Sequence, residues 1–248
     1  MRSWRVRAGR VLLPGGARAW AGGLLAGCAL VVLVLGVAFA HQTAADGFDR
    51  AVDAPLISGL GSHGNLSLWL AYPGSQLPAA VLSAAVIVAC LLAGRLNGAI
   101  LAAAAVLVSV GLDEELFKPL FHRTYLGSLS YPSGHTTAVV ALAATVTVLL
   151  LPAPPPARPR SPRLLIPALA WLLALIVAIA VIALKWHYFT DTVAGAAVGA
   201  GTVCALALVL DLPAARRCLA WAAREPAGQP RTTAAGREPT ASRPERGR

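Results

Sequence analysis

Three short polar groups stand out in a chain that is otherwise mostly alanine, leucine and valine. Lys118 and Arg123 form the first, residues 132–135 read Pro-Ser-Gly-His, and His187 precedes Asp191 by four residues. Lysine and arginine suit phosphoryl oxygens, the first as a point charge and the second as a bidentate fork. Histidine can act as a nucleophile or as a general acid or base. Together these residue types could bind and cleave a phosphate ester.

The Pro-Ser-Gly-His run lies where a polar loop enters an apolar segment. Ser133 is a good helix N-cap, and the free N–H groups of a first helical turn form an anion site. Gly134 allows the backbone to approach a ligand closely. A plain capped helix would explain the serine and glycine alone, but His135, whose charge can change near neutral pH, favours a site that faces phosphate.

His187 and Asp191 would share one face of a helix, because residues four apart are neighbours there. The Asp191 carboxylate is then expected to bond one imidazole nitrogen and leave the other free as a nucleophile or base. One alternative is a pair that only caps a helix, with Asp191 favoured at its N-terminus by the dipole. Another is a zinc site, but the cations Lys118, Arg123 and Lys185 favour an anion.

The composition indicates a membrane protein. The chain is 57% hydrophobic and 13% charged, whereas a soluble domain carries roughly a quarter charged residues. The net charge of +10 could point to nucleic acid, but no basic face interleaved with aromatic residues marks a nucleic-acid footprint. Basic residues that flank apolar runs are instead the usual orientation signal of membrane helices.

Six apolar stretches of roughly 18 to 22 residues have the length that a bilayer requires. They cover about 19–40, 77–94, 98–116, 135–152, 164–184 and 192–212. The sequence therefore predicts an all-α fold, a bundle of six transmembrane helices over 19–212. It also predicts a basic cytoplasmic N-terminus at 1–18 and a basic, disordered cytoplasmic tail at 213–248. Residues 66–72 are interpreted as an interfacial segment, because Pro-Gly interrupts them.

The distribution of basic residues predicts the orientation. With a cytoplasmic N-terminus, most of the 21 lysines and arginines fall on the cytoplasmic side, as the positive-inside rule requires. The loops at 118–135 and 185–191 then lie on the same, extracytoplasmic face. We therefore expect a multi-pass protein of the cell membrane with both termini in the cytoplasm and an extracytoplasmic active site.

Taken in order, the polar groups resemble the motifs of the type-2 phosphatidic-acid phosphatase superfamily of membrane phosphatases. That family carries Lys-x6-Arg-Pro, then Pro-Ser-Gly-His, then Ser-Arg-x5-His-x3-Asp. The second motif is complete here at 132–135, and the third retains His187 and Asp191. The likeness extends over roughly residues 19–212 and includes the plan of six spans.

The resemblance implies a mechanism without metal or cofactor. His187 would attack phosphorus to give a phosphohistidine, oriented by Asp191, and His135 would protonate the leaving oxygen. The groups implied to hold the phosphoryl oxygens are Lys118, Arg123, Ser133 and the backbone N–H groups at Gly134.

Two departures from the family pattern concern cations. Only four residues separate Lys118 from Arg123, and Thr124 replaces the proline of the first motif. The Ser-Arg of the third motif would fall at 180–181, which read Ala-Val. Lys185 follows one helical turn later, and we expect it to replace the missing arginine in binding phosphate.

The leading functional interpretation is hydrolysis of a lipid phosphate or prenyl (di)phosphate, with the membrane lipid as substrate, the bilayer as surroundings and no nucleic-acid partner. The alternatives are phosphoryl transfer from lipid to another acceptor, and non-catalytic binding of anionic lipid. Gly195 and Gly199 have the small-xxx-small spacing of close helix packing. The sequence does not choose between packing within one chain and packing in a homo-oligomer.

Overall fold

A computed structural model describes residues 11–150 and 161–222, and the described chain is mainly helical. The helices are α1 (Gly15–Phe39), α2 (Gly47–Gly59), α3 (Gly64–Ala71), α4 (Gln76–Leu92), α5 (Leu96–Gly111), α6 (Lys118–Phe121), α7 (Gly134–Leu150), α8 (Ser161–Ala183), α9 (Phe189–Leu210) and α10 (Pro213–Ala222). Short 3₁₀ turns cover Gly61–His63 and Tyr72–Gly74, and a π-helical segment covers Leu112–Phe117. Within the described ranges the strands form one hairpin, β1 (Thr124–Tyr125) with β2 (Ser128–Leu129).

Four helices are long and apolar enough to cross a bilayer. They are Gly15–Phe39, Leu96–Phe121, Arg163–Ala183 and Phe189–Leu210. A fifth candidate is a bent pair, Gly61–Gly74 with Gln76–Leu92, whose halves meet at 44°. α7 is apolar but has 17 residues. The described helices thus support a multi-pass membrane protein with four or five candidate spans, and the count of six stays a prediction.

The segment at 66–72 is helical, and its position at the membrane interface stays a prediction. It forms α3 and runs through the Tyr72–Gly74 turn toward α4. Proline lacks a backbone N–H and clashes with the preceding turn, so Pro73 accounts for the bend between these two helices. The bend brings Gly74 against His135, whose backbone oxygen would lie 2.9 Å from a Cβ added at Gly74.

The predicted disordered tail begins with a helix, which corrects the boundary at 213. α10 covers Pro213–Ala222. Proline is favoured at the first helical position, and the alanine, arginine and leucine that follow are good helix formers. The rest of the predicted tail, 223–248, and the first ten residues lie outside the described residues.

α9 packs directly on α7, and two glycines allow the close approach. A Cβ added at Gly195 would lie 2.5 Å from the Ser133 carbonyl oxygen, and one at Gly199 would lie 2.6 Å from that of Thr137. The small-xxx-small pair therefore packs two helices of the same chain together. This contact also sets the two ends of the helices, where the polar motifs lie, beside each other.

Candidate active site

A cavity of about 1150 Å³ joins an apolar part to a polar end. The apolar part is lined by α4 and α5, through residues that include Leu77, Ala80, Ile87, Ala103, Val106 and Leu107. The polar end is lined by Glu114, Lys118, Tyr125, Gly134, His135, Lys185 and His187. The site thus offers charged and titratable groups at one end and hydrocarbon surface along the rest.

His187 lies in the turn between α8 and α9, two residues before α9 begins. Its Nδ1 is 2.8 Å from the Ser130 carbonyl oxygen, while the nearest Asp191 carboxylate oxygen is 4.0 Å away. The expected hydrogen bond from Asp191 to the ring is therefore wrong for this structure, because His187 precedes the helix and does not share its face. The carbonyl accepts a hydrogen bond from the Nδ1–H group, which leaves the Nε2 lone pair free.

Burial determines the charge of His187. Loss of solvation, together with the nearby positive charge of Lys118, lowers the pKa of His187 to about 3. The imidazole is therefore neutral at pH 7, the form that can attack phosphorus.

His135 is the second residue of α7 and also lines the cavity. Its ring centroid is 6.4 Å from that of His187 and 5.3 Å from that of Trp186. Helix α7 and the turn before α9 thus bring the two histidines of the predicted site to the same cavity.

Lys118 reaches the N-terminus of α7. A Cβ added at Gly134 would lie 3.9 Å from Lys118 Nζ, 2.9 Å from Glu114 Oε1 and 3.1 Å from Asp113 Oδ2. Any larger residue at 134 would crowd these side chains, so glycine is needed here for close approach. Lys118 itself forms a salt bridge of 2.6 Å with Glu114, four residues earlier.

Lys185 lines the cavity, but not from the helical stripe that the sequence predicts. α8 ends at Ala183, and Lys185 has a φ of 60°. The Trp186 N–H donates to the Val181 carbonyl at 3.0 Å and the Lys185 N–H to that of Ile182 at 2.9 Å. These are the two bonds of a Schellman motif, in which Lys185 occupies the left-handed position usually taken by glycine.

Arg123 lies away from the cavity, which corrects its expected role in binding phosphate. Its side chain is fully buried. Nη1 donates to Asp191 Oδ1 at 2.6 Å, and Nη2 donates to Asp49 Oδ2 at 2.5 Å. The guanidinium also lies 4.4 Å from the Phe39 ring and 4.3 Å from the Tyr188 ring. Two carboxylates and two rings surround the group, and both terminal nitrogens donate within the protein, whereas Nε has no hydrogen-bond partner among the described residues.

Helix α2 supplies carboxylates that the sequence reasoning missed. Asp49 accepts hydrogen bonds from the Thr190 N–H and hydroxyl, each at 3.0 Å, besides its bond to Arg123. Asp53 accepts from the Phe189 N–H at 3.1 Å. Burial and the Asp49 carboxylate raise the pKa of Asp53 to about 7. Their spacing of one helical turn was the available signal, since it places both on one face of α2.

Asp191 and Ser133 connect the N-terminal ends of α9 and α7 through hydrogen bonds. Asp191 caps α9 by accepting from the Tyr188 N–H at 3.0 Å, in addition to its ion pair with Arg123. Its own carbonyl accepts from the Ser133 N–H at 3.0 Å. The Ser133 hydroxyl is 3.2 Å from that of Thr136 and is fully buried. Ser133 therefore does not line the cavity, contrary to its expected contact with phosphate.

Tyr125 occupies the position that the family spacing assigns to an arginine. It is the seventh residue after Lys118, as in Lys-x6-Arg, and it lines the cavity. Its ring lies 4.3 Å from that of Tyr188. Lys118 and Tyr125 thus keep the ordinary spacing of the first motif, with tyrosine at the arginine position, while the shortened motif with Arg123 stays a prediction.

Among residues 11–150 and 161–222, no three His, Cys, Asp or Glu side chains come together in a group that could hold a metal ion. The candidate site is therefore described by its protein groups alone.

A membrane-type helical fold with two histidines at the polar end of an apolar cavity defines a class of phosphoryl-transfer proteins. The family model of the PAP2 superfamily matches residues 66–213, and the chain belongs to this superfamily. Among solved structures, the chain is similar to a transmembrane PAP2-type phosphatidylglycerolphosphate phosphatase from Bacillus subtilis, at a TM-score of 0.61 and 18% identity. That match covers 73% of this chain and 93% of the other. Comparison with curated proteins returns no match.

Proposed function

We propose that the protein is a membrane phosphatase that hydrolyses a lipid phosphate or a prenyl (di)phosphate at the extracytoplasmic face. The membership in the superfamily supports a lipid phosphatase. The observation that carries the proposal is the cavity, which places His135 and His187 at the polar end of an apolar passage. A phosphorylated lipid has the same division between headgroup and tail.

The proposed reaction has two steps. In the first, His187 Nε2 attacks phosphorus, the bond from phosphorus to the lipid oxygen breaks, and protonated His135 gives its proton to that oxygen. In the second, His135 takes a proton from water, the oxygen of that water attacks phosphorus, and the N–P bond breaks. The products are phosphate and a lipid alcohol, or phosphate and a prenyl phosphate when the substrate is a diphosphate and the terminal phosphorus is attacked, and both histidines return to their starting states.

Charge on the phosphoryl oxygens would be stabilised from three directions. Lys118 and Lys185 line the polar end, and the backbone N–H groups of the first turn of α7 lie beside Gly134 at the positive end of the helix dipole. Preorganised donors of this kind lower the barrier because charge accumulates on these oxygens in the transition state.

Arg123, Asp191 and Ser133 are proposed as positioning residues. The Ser130 N–H donates to the Arg123 carbonyl at 2.9 Å, and the Ser130 carbonyl accepts from His187. Arg123 also holds Asp191, which caps the helix that follows His187. These contacts support a role for the buried ion pairs in aiming the His187 ring.

The proposed membrane arrangement has six spans and both termini on the cytoplasmic side. It is supported by a contact between the residues just before α1 and the residue just after α9. The backbone N–H groups of Leu12 and Leu13 donate to the Asp211 carboxylate at 2.8 and 2.7 Å. Because the start of α1 and the end of α9 meet at one end of the bundle, an even number of crossings fits the geometry.

The experiment is a phosphate-release assay with full-length protein in detergent, with and without chelator. The panel contains phosphatidic acid, phosphatidylglycerol phosphate, a prenyl diphosphate and a prenyl-phosphate sugar phosphate. His187→Ala and His135→Ala should each lose at least about 100-fold in rate, and exposed His63→Ala serves as the matched control. An acid-labile phosphoenzyme should form in wild type and be absent from His187→Ala.

Three outcomes would contradict the proposal. Loss of activity with chelator would refute the metal-free mechanism. Unchanged hydrolysis in His187→Ala would refute the phosphohistidine. Phosphate that appears only on an added acceptor lipid, and not in water, would identify a phosphotransferase instead.

A further inference from the structure

Glu114 places a carboxylate where a phosphate oxygen would bind. Its Oε1 is 2.6 Å from Lys118 Nζ and would lie 2.9 Å from a Cβ on Gly134. The carboxylate therefore sits between the ammonium group of the phosphate site and the first turn of α7. Both neighbours attract anions, and here they hold one that belongs to the protein.

The charge balance of the polar end differs from that implied by the family motifs. Position 125 is tyrosine and position 181 is valine, where the motifs would place arginines. Lys118 already has an anionic partner in Glu114. A free phosphate ion entering this end meets less positive charge than the motifs alone would predict.

We propose that Glu114 is an internal competitor of phosphate for Lys118, which weakens the binding of substrate phosphate and of the phosphate product alike. The inference rests on the proposed function, because it concerns the same phosphate site. A substrate phosphate must displace the carboxylate from Lys118 before its oxygens can be held there. Glu114 is half-exposed, with 41% of its side chain accessible, and can turn away from the site.

Lipid and water-soluble phosphates meet the same cost. A lipid substrate also buries its tail along the apolar part of the cavity, between α4 and α5, and this gain is independent of Glu114. A soluble phosphate ester or inorganic phosphate has no tail to bury. Glu114 should therefore weaken the binding of both classes by the same factor, leave the preference between them unchanged and promote release of the phosphate product.

The test compares Glu114→Gln with Glu115→Gln in the full-length protein. Glu115→Gln is the control, because it removes the same negative charge from a neighbouring residue that is exposed and does not line the cavity. In Glu114→Gln we expect kcat/KM for p-nitrophenyl phosphate to rise about tenfold and the inhibition constant of inorganic phosphate to fall about tenfold. For a long-chain lipid phosphate, kcat/KM should rise by the same factor, to within about threefold. Glu115→Gln should match wild type throughout.

Equal values in the two variants would overturn the inference, and so would a rise confined to one of the two substrate classes. Direct binding of inorganic phosphate, measured by calorimetry on the same proteins, separates this inference from the proposed function. If wild type hydrolyses nothing, the proposed function fails, yet tighter phosphate binding by Glu114→Gln than by Glu115→Gln would still support the competition. Equal binding in both would refute it.

Discussion

His187 Nδ1 lies 2.8 Å from the backbone carbonyl oxygen of Ser130, and this contact fixes the ring. A carbonyl can only accept, so Nδ1 must carry the proton and Nε2 must present its lone pair. Ser130 is held in turn by its N–H bond to the Arg123 carbonyl. The His187 ring, the proposed nucleophile, is therefore oriented by backbone, and the carboxylate of Asp191 acts one step further away.

A first prediction concerns the protonation of His187. Because the pKa of His187 is lowered to about 3, its ring should remain a neutral Nδ1–H tautomer down to about pH 4. Below pH 6.5, His187 of the unfolded chain, with its usual pKa of 6.5, binds a proton that His187 of the folded chain does not bind. The free energy of unfolding should accordingly decrease as the pH falls from 6.5 toward 3.

Nitrogen NMR of histidine-labelled protein in detergent would measure this tautomer. The chain has five histidines, and the signal that disappears in His187→Gln assigns the one of interest. A ring that titrates near pH 6.5, or one protonated at Nε2, would contradict the prediction.

A second prediction concerns the buried ion pairs. Arg123→Met would leave Asp49 and Asp191 buried without a counter-charge, at a cost of about 3 to 5 kcal/mol in the free energy of unfolding. Asp49→Asn should cost less, because Arg123 keeps its 2.6 Å ion pair with Asp191. Thermal unfolding midpoints in detergent should therefore rank wild type above Asp49→Asn and Asp49→Asn above Arg123→Met.

The control for this series is Arg50→Met, since Arg50 is exposed and lies next to Asp49. It should unfold within a few tenths of a kcal/mol of wild type. A midpoint for Arg123→Met no lower than that of Asp49→Asn would show that the guanidinium does not stabilise both carboxylates.

The residues that line the cavity were predictable because their motifs fall at the ends of apolar runs. Helix length and apolarity locate those ends, so Lys118, His135 and His187 could be assigned to one face without coordinates. The partner of Arg123 could not, because Asp49 stands 74 residues earlier in a segment with no motif. Burial rather than spacing decides that pairing, and the sequence alone does not reveal burial of a charged side chain.

The fold was predictable in outline for the same reason. The apolar runs correctly indicated membrane helices, since composition over such lengths outweighs local propensity. One local feature was not: the left-handed conformation of Lys185 just after the end of α8. Glycine usually occupies that position, and a lysine there gives no sign of it.

A third prediction tests the contact between α7 and α9. Gly199→Ala would bring a methyl group within 2.6 Å of the Thr137 carbonyl oxygen and 2.9 Å of the Ala141 nitrogen. Neither backbone atom can move without displacing α7, so the variant should lose about 1 to 3 kcal/mol of stability. Gly27→Ala in α1, where nothing lies within 4 Å of the added carbon, should be neutral or slightly stabilised. Equal midpoints for the two variants would contradict the close approach.

A fourth prediction separates the backbone role of Lys185 from its charge. With a φ of 60°, Lys185→Gly should be more stable than Lys185→Ala by about 1 kcal/mol, because only glycine adopts this conformation without strain. Both variants remove the ammonium group from the polar end of the cavity, so both should lose hydrolysis by the same factor. Lys185→Arg keeps the charge and should retain most of the rate.

Thermal midpoints and kcat/KM on one lipid phosphate would measure the two effects in the same preparations. Different losses of hydrolysis in Lys185→Gly and Lys185→Ala would mean that the turn, rather than the charge, supports catalysis. Hydrolysis at the wild-type rate in Lys185→Ala would remove Lys185 from the proposed phosphate-binding groups. Lys118 and the N–H groups of α7 would then have to hold the phosphoryl oxygens without a second lysine. They would do so in a site that also lacks the two arginines that the family motifs place at positions 125 and 181.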